Sequence, residues 1–86
     1  MSEEHNKPEK KFVASPVSAT VWNNKGEKDG KEYEFKSIQL SRSYKDKEDH
    51  WKNTDSLRVS DIPKAVLVLQ SAYSYLATTE LKTKDE

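Results

Sequence analysis

The sequence predicts an α+β domain, in which a curved antiparallel β-sheet of three to four strands, connected as a meander, precedes one C-terminal helix. Two patterns predict this fold. Residues 13–59 show the apolar and polar alternation of strands, interrupted by polar turns, whereas residues 62–76 carry apolar side chains at helical spacing. The period changes once, so the strands come first and the helix last.

The strands are placed by this alternation and by the polar stretches between them. We expect a first strand from about Phe12 to Trp22, which Pro16 bends, bulges or restricts to an edge. Both glycines fall in residues 23–30, which predicts a long hairpin loop there. We then expect a second strand from Lys31 to about Tyr44, a charged turn over residues 45–49, and a third strand from Trp51 to Val59.

The helix is predicted over residues 62–76, with Ser60 or Asp61 as its cap and Pro63 in its first turn. Its apolar arc is wider than one sheet can cover. A core of this size supplies only about 3–5 kcal/mol of net stability. The sequence therefore predicts a homodimer, with contacts from Leu67, Val68 and Tyr75.

The composition limits the domain and its location. We expect one domain over residues 10–78, flanked by polar tails over residues 1–9 and 79–86 that hold too few apolar side chains to become ordered. With 33% apolar residues in 86, the chain can form one thin core layer and no deep cleft. It has no cysteine, which favours the cytoplasm, and no stretch typical of an export signal or a membrane anchor.

Residues with catalytic or metal-binding chemistry are few and poorly placed. His5 falls in a tail and His50 in a charged turn, and we expect both to be solvated surface imidazoles rather than metal ligands. The run from Asp46 to Asp49 lacks the glycine and the closing glutamate of a calcium loop. Glu32 and Glu34 share a strand face but lie among lysines, which favours cross-strand ion pairs over acid–base chemistry. The sequence predicts a protein that is not an enzyme and needs no cofactor or metal.

The second strand carries two apolar sets of opposite parity. Tyr33 and Phe35 share one face with small polar residues, whereas Ile38 and Leu40 share the other. If the register is continuous, the aliphatic pair packs on the helix and the aromatic pair lies on the opposite face, where Trp22 joins it. Aromatic side chains among hydroxyls and cations suit the stacking of unpaired bases. A bulge near Lys36 would instead make a second core layer, and a dimer could bury that face.

Basic residues near these aromatic side chains are candidates for contacts with a phosphate backbone. Arg42 and Tyr44 continue the face of Ile38 and Leu40, and Arg58 points outward on the next strand. The alternative for the arginines is pairing with Glu34, Asp55 or Asp46. Trp51, beside Lys52, either stacks on a base or covers the end of the hairpin. Residues 10–64 hold ten lysines, two arginines and nine acids, a balance of +3 within a chain of zero net charge.

One stretch resembles a known family. Ile38-x-Leu40-x-Arg42-x-Tyr44, a charged turn, Trp51-Lys52, Ser56-Leu57-x-Val59 and a helix opening at Asp61-Ile62-Pro63 resemble the transcriptional positive cofactor four family, whose layout the plant Whirly proteins share. The resemblance covers residues 38–76. It implies a dimer of curved antiparallel sheets that binds single-stranded DNA on its strands, and it implicates Arg42, Tyr44, Trp51, Lys36 and Lys52. Where the family usually has lysines and a glycine, this chain has Asn53-Thr54-Asp55.

Two functions follow as expectations. The first is a binding protein for single-stranded nucleic acid, DNA rather than RNA, that uses Trp22, Tyr33, Phe35, Lys36, Arg42, Tyr44, Trp51, Lys52 and Arg58. The second is a protein-interaction or assembly module without nucleic-acid binding, for which zero net charge and acidic tails argue.

Overall fold

The structure is a computed structural model that describes residues 7–78. The predicted fold class is confirmed, since four antiparallel strands in the order β1-β2-β3-β4 form one meander sheet and a single helix follows. Residues 1–6 and 79–86, which hold most of both predicted tails, lie outside the described residues. Residues 7–9 of the predicted N-terminal tail belong to the first strand.

The strands are β1 (Lys7–Ala14), β2 (Val17–Lys28), β3 (Lys31–Lys45) and β4 (Trp51–Thr54). A short 3-10 turn at Val59–Asp61 leads into the helix α1 (Ile62–Ala77). The predicted second strand and the helix therefore agree with the structure to within one residue at each end. The other elements differ from the predicted ones.

The predicted first strand is in fact two strands. The chain reverses at Ser15 and Pro16, which are joined by a cis peptide bond, and β1 then pairs with β2 along its length. Proline has no N–H group to donate to a ladder, so it suits the turn between two strands better than the middle of one. The expectation that Pro16 only bends or bulges a continuous strand was wrong.

The predicted loop over residues 23–30 is mostly strand. β2 continues to Lys28, and only Asp29 and Gly30 form the turn, with φ angles of 55° and 77°. A two-residue hairpin turn requires this left-handed backbone, and Asp-Gly is a preferred pair for it. Only Asp29 and Gly30 therefore form the turn, whereas the other glycine, Gly26, lies within β2.

The predicted third strand is shorter than expected. β4 ends at Thr54, so Leu57 and Arg58 lie in the segment that crosses from the sheet to the helix. In the turn before β4, Oδ1 of Asp46 accepts the backbone N–H groups of Glu48 and His50 at 2.8 and 2.9 Å. The His50 N–H is the main reason that the pKa of Asp46 lies below its ordinary value.

The core lies between α1 and one face of β1 and β2. It consists of small side chains, namely Val17, Ala19, Val21, Ala65, Val68 and Ala72, with partly buried Phe12, Ala14, Leu40, Leu57 and Leu76 around them. Val68 is only 2% exposed, so this predicted dimer contact is already used inside the subunit. No helix of residues 7–78 has the length and apolar character needed to cross a membrane.

Candidate nucleic-acid interface

The sheet has one face that α1 covers and one face that it leaves open. The register between β2 and β3 is continuous, because Val21 pairs with Ile38 and Trp22 with Ser37 without a bulge. Ile38 and Leu40 consequently point toward the helix. Trp22, Tyr33 and Phe35 point away from it. We call this second side of the sheet the open face; its members are Pro8, Lys11, Val13, Ser18, Thr20, Trp22, Asn24, Gly26, Lys28, Lys31, Tyr33, Phe35, Ser37, Gln39, Ser41, Ser43, Lys45, Trp51 and Asn53.

Two aromatic side chains form a stacked pair near the β2–β3 turn. Tyr33 and Phe35 are half-exposed and stack with 5.9 Å between ring centroids and 26° between ring planes. The Tyr33 ring lies directly over Gly26 on the neighbouring strand. A Cβ atom at Gly26 would come within 2.5 Å of Tyr33 Cζ. Glycine at this position thus leaves space for the end of the Tyr33 ring against the neighbouring strand.

Cross-strand polar contacts hold the middle of the open face. Trp22 Nε1 donates to Gln39 Oε1 at 3.1 Å, which fixes the plane of the indole ring. Asn24 Nδ2 donates to Ser37 Oγ at 2.9 Å, and two serine hydroxyls, Ser18 and Ser41, lie 3.3 Å apart. Side chains tied in this way lose little conformational freedom when a ligand binds them.

The far end of the open face carries another aromatic side chain with a cation beside it. Trp51 is well exposed, and Lys45 Nζ lies 5.3 Å from the centroid of its ring. The two residues are opposed in the β3–β4 ladder. A cation beside an exposed indole suits a ligand that has both a planar ring and a negative charge.

Charge is divided between the two faces of the sheet. The register puts all four carboxylates of the described strands on the helix side: Glu9, Glu27, Glu32 and Glu34. It puts four lysines on the open face: Lys11, Lys28, Lys31 and Lys45. Among the described strand residues the open face therefore holds cations and no carboxylate. A chain of zero net charge thus presents a positive surface.

Several residues that the sequence predicted for this site lie on the helix side instead. Lys36 Nζ donates to Oε1 of Glu9 at 2.5 Å, and Lys52 Nζ lies 3.4 Å from Oδ2 of Asp46. Tyr44 shares that side, since it pairs with Lys52. Arg58 lies outside the strands and is exposed.

Arg42 is the most deeply placed of these residues. Its Nε lies 2.8 Å from Oδ2 of Asp61, at the start of α1, and the two side chains are 14% and 8% exposed. The N–H group at Nε is not aligned with a hydrogen-bond acceptor, so the contact between Arg42 and Asp61 is an ion pair without a hydrogen bond at Nε. Asp61 Oδ2 also accepts the backbone N–H of Arg58 at 2.8 Å. The partner of Arg42 is thus none of the three acids considered from the sequence.

The structure places Trp22, Tyr33, Phe35 and Trp51 on one face, with Trp51 at the far end from the other three, and adds residues that the sequence did not predict. Those additions are Gly26 and the open-face lysines. The parity of charges along each strand would have revealed the lysines, because β3 alone places Lys31 and Lys45 with Tyr33. The net charge of residues 10–64 does not show how lysines and carboxylates are divided between the two faces of the sheet.

One group of metal-type side chains occurs among the described residues. Ligand atoms of Asp46, Glu48 and His50 lie within 4.8 Å of one another in the turn before β4. Asp46 already accepts two backbone N–H groups and faces Lys52, so its carboxylate organises the turn.

Comparison of the chain with protein-family models, curated proteins and solved structures found no match.

Proposed function

We propose that this chain binds single-stranded nucleic acid, DNA in preference to RNA, along the open face of its sheet and that it acts by binding rather than by catalysis. The observation that carries the proposal is the composition of that face, where exposed aromatic rings and four lysines meet no strand carboxylate. An unpaired base presents a π surface, and the backbone that carries it is anionic. Both chemistries are matched on one side of the sheet.

The four aromatic side chains provide the affinity of the base contacts. Trp22, Tyr33 and Phe35 lie toward one end of the sheet and Trp51 at the other, so a strand that runs along the sheet can stack bases at both ends. Each stacked base contributes about 1–3 kcal/mol and does so for every base. Ser18 is buried, but the hydroxyls of Thr20, Ser37, Ser41 and Ser43 can accept or donate hydrogen bonds without favouring one base. We therefore propose binding with little sequence preference.

The lysines of the open face replace the basic residues proposed from the sequence. Lys11 lies on β1 and Lys45 at the end of β3, so the two lie at different places across the sheet. Lys45 Nζ lies 3.3 Å from Oδ1 of Asp49, an exposed contact that a phosphate can replace, and each lysine can then neutralise one phosphate of a bound strand. Arg42, Lys36 and Lys52 are engaged in ion pairs on the helix side. A nucleic-acid ligand and a chain without cysteine both fit a cytoplasmic protein.

The test is fluorescence anisotropy of a labelled, mixed-sequence single strand of about thirty bases, titrated at about 50 and about 300 mM salt. We expect saturable binding that weakens with salt. The double variant Lys11→Gln/Lys45→Gln should reduce the magnitude of the slope of log affinity against log salt by about 1.4, since each phosphate contact on a single strand contributes about 0.7.

The matched control is Lys25→Gln/Lys52→Gln, which removes the same charge from strand residues on the helix side. Its salt slope should stay near that of the wild type. Equal slopes for the two double variants would show that charge acts without regard to face and would refute the proposed surface. Failure of the wild type to bind at low salt would favour the protein-interaction function instead.

A further inference from the structure

A second surface lies on the helix side of the molecule, where α1 leaves one flank uncovered. Ile62, Val66, Leu69 and Tyr73 are spaced along one side of the helix, and each is more than one-third exposed. Ile38 on β3 is exposed to a similar degree on the same side of the sheet. We call these five residues the apolar strip. None of them carries a charge.

The position of the strip follows from the contacts of the other helix flank. Tyr75 packs edge-on against Phe12 with centroids 6.0 Å apart, and Lys64 Nζ donates to the Ser15 carbonyl at 2.7 Å. That flank therefore faces β1. Helical geometry places Val66 and Tyr73 on the opposite flank, toward β3.

The edge of β3 on this side is also open. β4 pairs only with residues 42–45, so residues 31–41 of β3 have no neighbour among the described strands on that side. Charged side chains occupy the part near the turn, where they discourage strand pairing. Residues 37–41, next to the strip, carry none.

We propose that a second copy of this chain covers the apolar strip and makes a two-fold symmetric dimer. Among residues 7–78 six apolar residues are buried, all of them valine or alanine, which is a small core for a chain of this length. A second copy extends that core over both helices. A symmetric contact needs a patch that matches itself, and an uncharged apolar strip does so.

The area and the charge of the strip fit this occupant. Its exposed side chains amount to on the order of 500 Å² per copy, or about 1,000 Å² for the pair, which is the lower limit for a specific interface and fits a dimer of modest affinity. Two chains of zero net charge do not repel each other at long range. The strip also lies on the opposite side of the sheet from the open face, so the dimer leaves both nucleic-acid surfaces exposed.

The experiment is sedimentation velocity at about ten to fifty micromolar, the range in which weak dimers begin to dissociate. We expect a dimer for the wild type. Val66→Glu should give a monomer, because it buries an unpaired charge in the contact. The apolar strip does not include Leu67 and Tyr75, which the sequence predicted at the dimer contact, so Leu67→Glu is the matched control: Leu67 is 59% exposed against 55% for Val66 but lies outside the strip. The control should remain a dimer.

A cysteine placed in the strip tests the same contact without adding a charge. The chain has no cysteine, so Val66→Cys and Leu67→Cys each create a single thiol. A short bis-maleimide should link two copies at position 66 and not at position 67. A monomeric wild type, linking only at position 67, or a Val66→Glu variant that stays dimeric would overturn the proposal. Should Val66→Glu fail to fold, the cysteine pair decides the outcome.

Discussion

At the scale of single residues, Gly26 matters to the open face because it has no side chain, which leaves space for the Tyr33 ring. The Tyr33 ring occupies the space that a side chain at Gly26 would need. Gly26→Ala is expected to lift the ring from the sheet while preserving the fold, because the atoms it meets are at the free end of a side chain. We expect weaker binding of a single strand in an anisotropy titration, by up to about the tenfold that one stacked base contributes.

The control for Gly26→Ala is a double-mutant cycle. In a Tyr33→Ala background the ring is gone, so the second substitution should change the affinity little. If Gly26→Ala weakened binding equally in both backgrounds, it would act on the strand rather than through Tyr33.

Glu9 is the residue through which pH should change stability. Its carboxylate accepts hydrogen bonds from Lys36 Nζ and from the Tyr75 hydroxyl, the latter at 2.6 Å. These bonds, that of Lys36 foremost, hold the pKa of Glu9 below its ordinary value of 4.5. The hydrogen bond between Tyr75 and Glu9 also raises the pKa of Tyr75. Ionised Glu9 therefore joins β1 to β3 and to α1.

The sign of the pH effect follows from the lowered pKa. The folded state favours the ionised carboxylate, so its contribution is complete above pH 4.5 and is lost as the pH falls through the folded-state pKa. Urea unfolding at several pH values should show wild type more stable than Glu9→Gln at pH 7, with a difference that shrinks in acid. Glu34→Gln, which removes only a 3.9 Å contact with Lys25, should change stability little at any pH. A difference for Glu9→Gln that does not depend on pH would contradict this account.

At the scale of elements, the Arg42–Asp61 pair joins the sheet to the start of the helix. Arg42→Ala leaves the Asp61 carboxylate largely buried without its cation, and we expect a loss of about 3 kcal/mol in the free energy of unfolding. Lys52→Ala removes an exposed ion pair and should cost no more than about 1 kcal/mol. Urea denaturation measures both. Similar losses for the two variants would show that burial does not strengthen the role of Arg42.

The elements also show which parts of the fold the sequence could predict. β3 and α1 were predictable because each has a long uninterrupted period. The boundary between β1 and β2 was not, because the apolar alternation continues on both sides of Pro16 while the chain reverses there. The ion pair of Lys36 joins residues 27 positions apart, and that of Arg42 joins β3 to the helix cap, so neither could be identified from neighbouring residues. The side of each aromatic residue was predictable from parity once the register was continuous.

At the scale of the whole molecule, the two proposed surfaces have opposite orientations and complementary roles. The molecule is flat, with extents of 49, 41 and 19 Å, and its thin direction contains one helix layer and one sheet layer. The helix side can join a second copy while the open side remains accessible. A dimer would then present two open faces to one strand of sufficient length.

The length of the strand should reveal whether both faces act together. A strand of about eight bases fits within the site size of one such surface, whereas one of about thirty bases can reach two. In wild type we expect the longer strand to bind at least tenfold more tightly, since its second contact is intramolecular. Val66→Glu should remove this advantage while leaving the affinity for the short strand unchanged.

Leu67→Glu adds the same charge outside the apolar strip and should retain the advantage of the long strand. Anisotropy titrations of both strand lengths with all three proteins give the comparison. A Val66→Glu variant that loses affinity for both strands alike would have damaged the open face itself. A dimeric wild type without any advantage for the long strand would mean that its two open faces point in directions that one strand cannot join, because multivalent binding requires that both sites be reached at once.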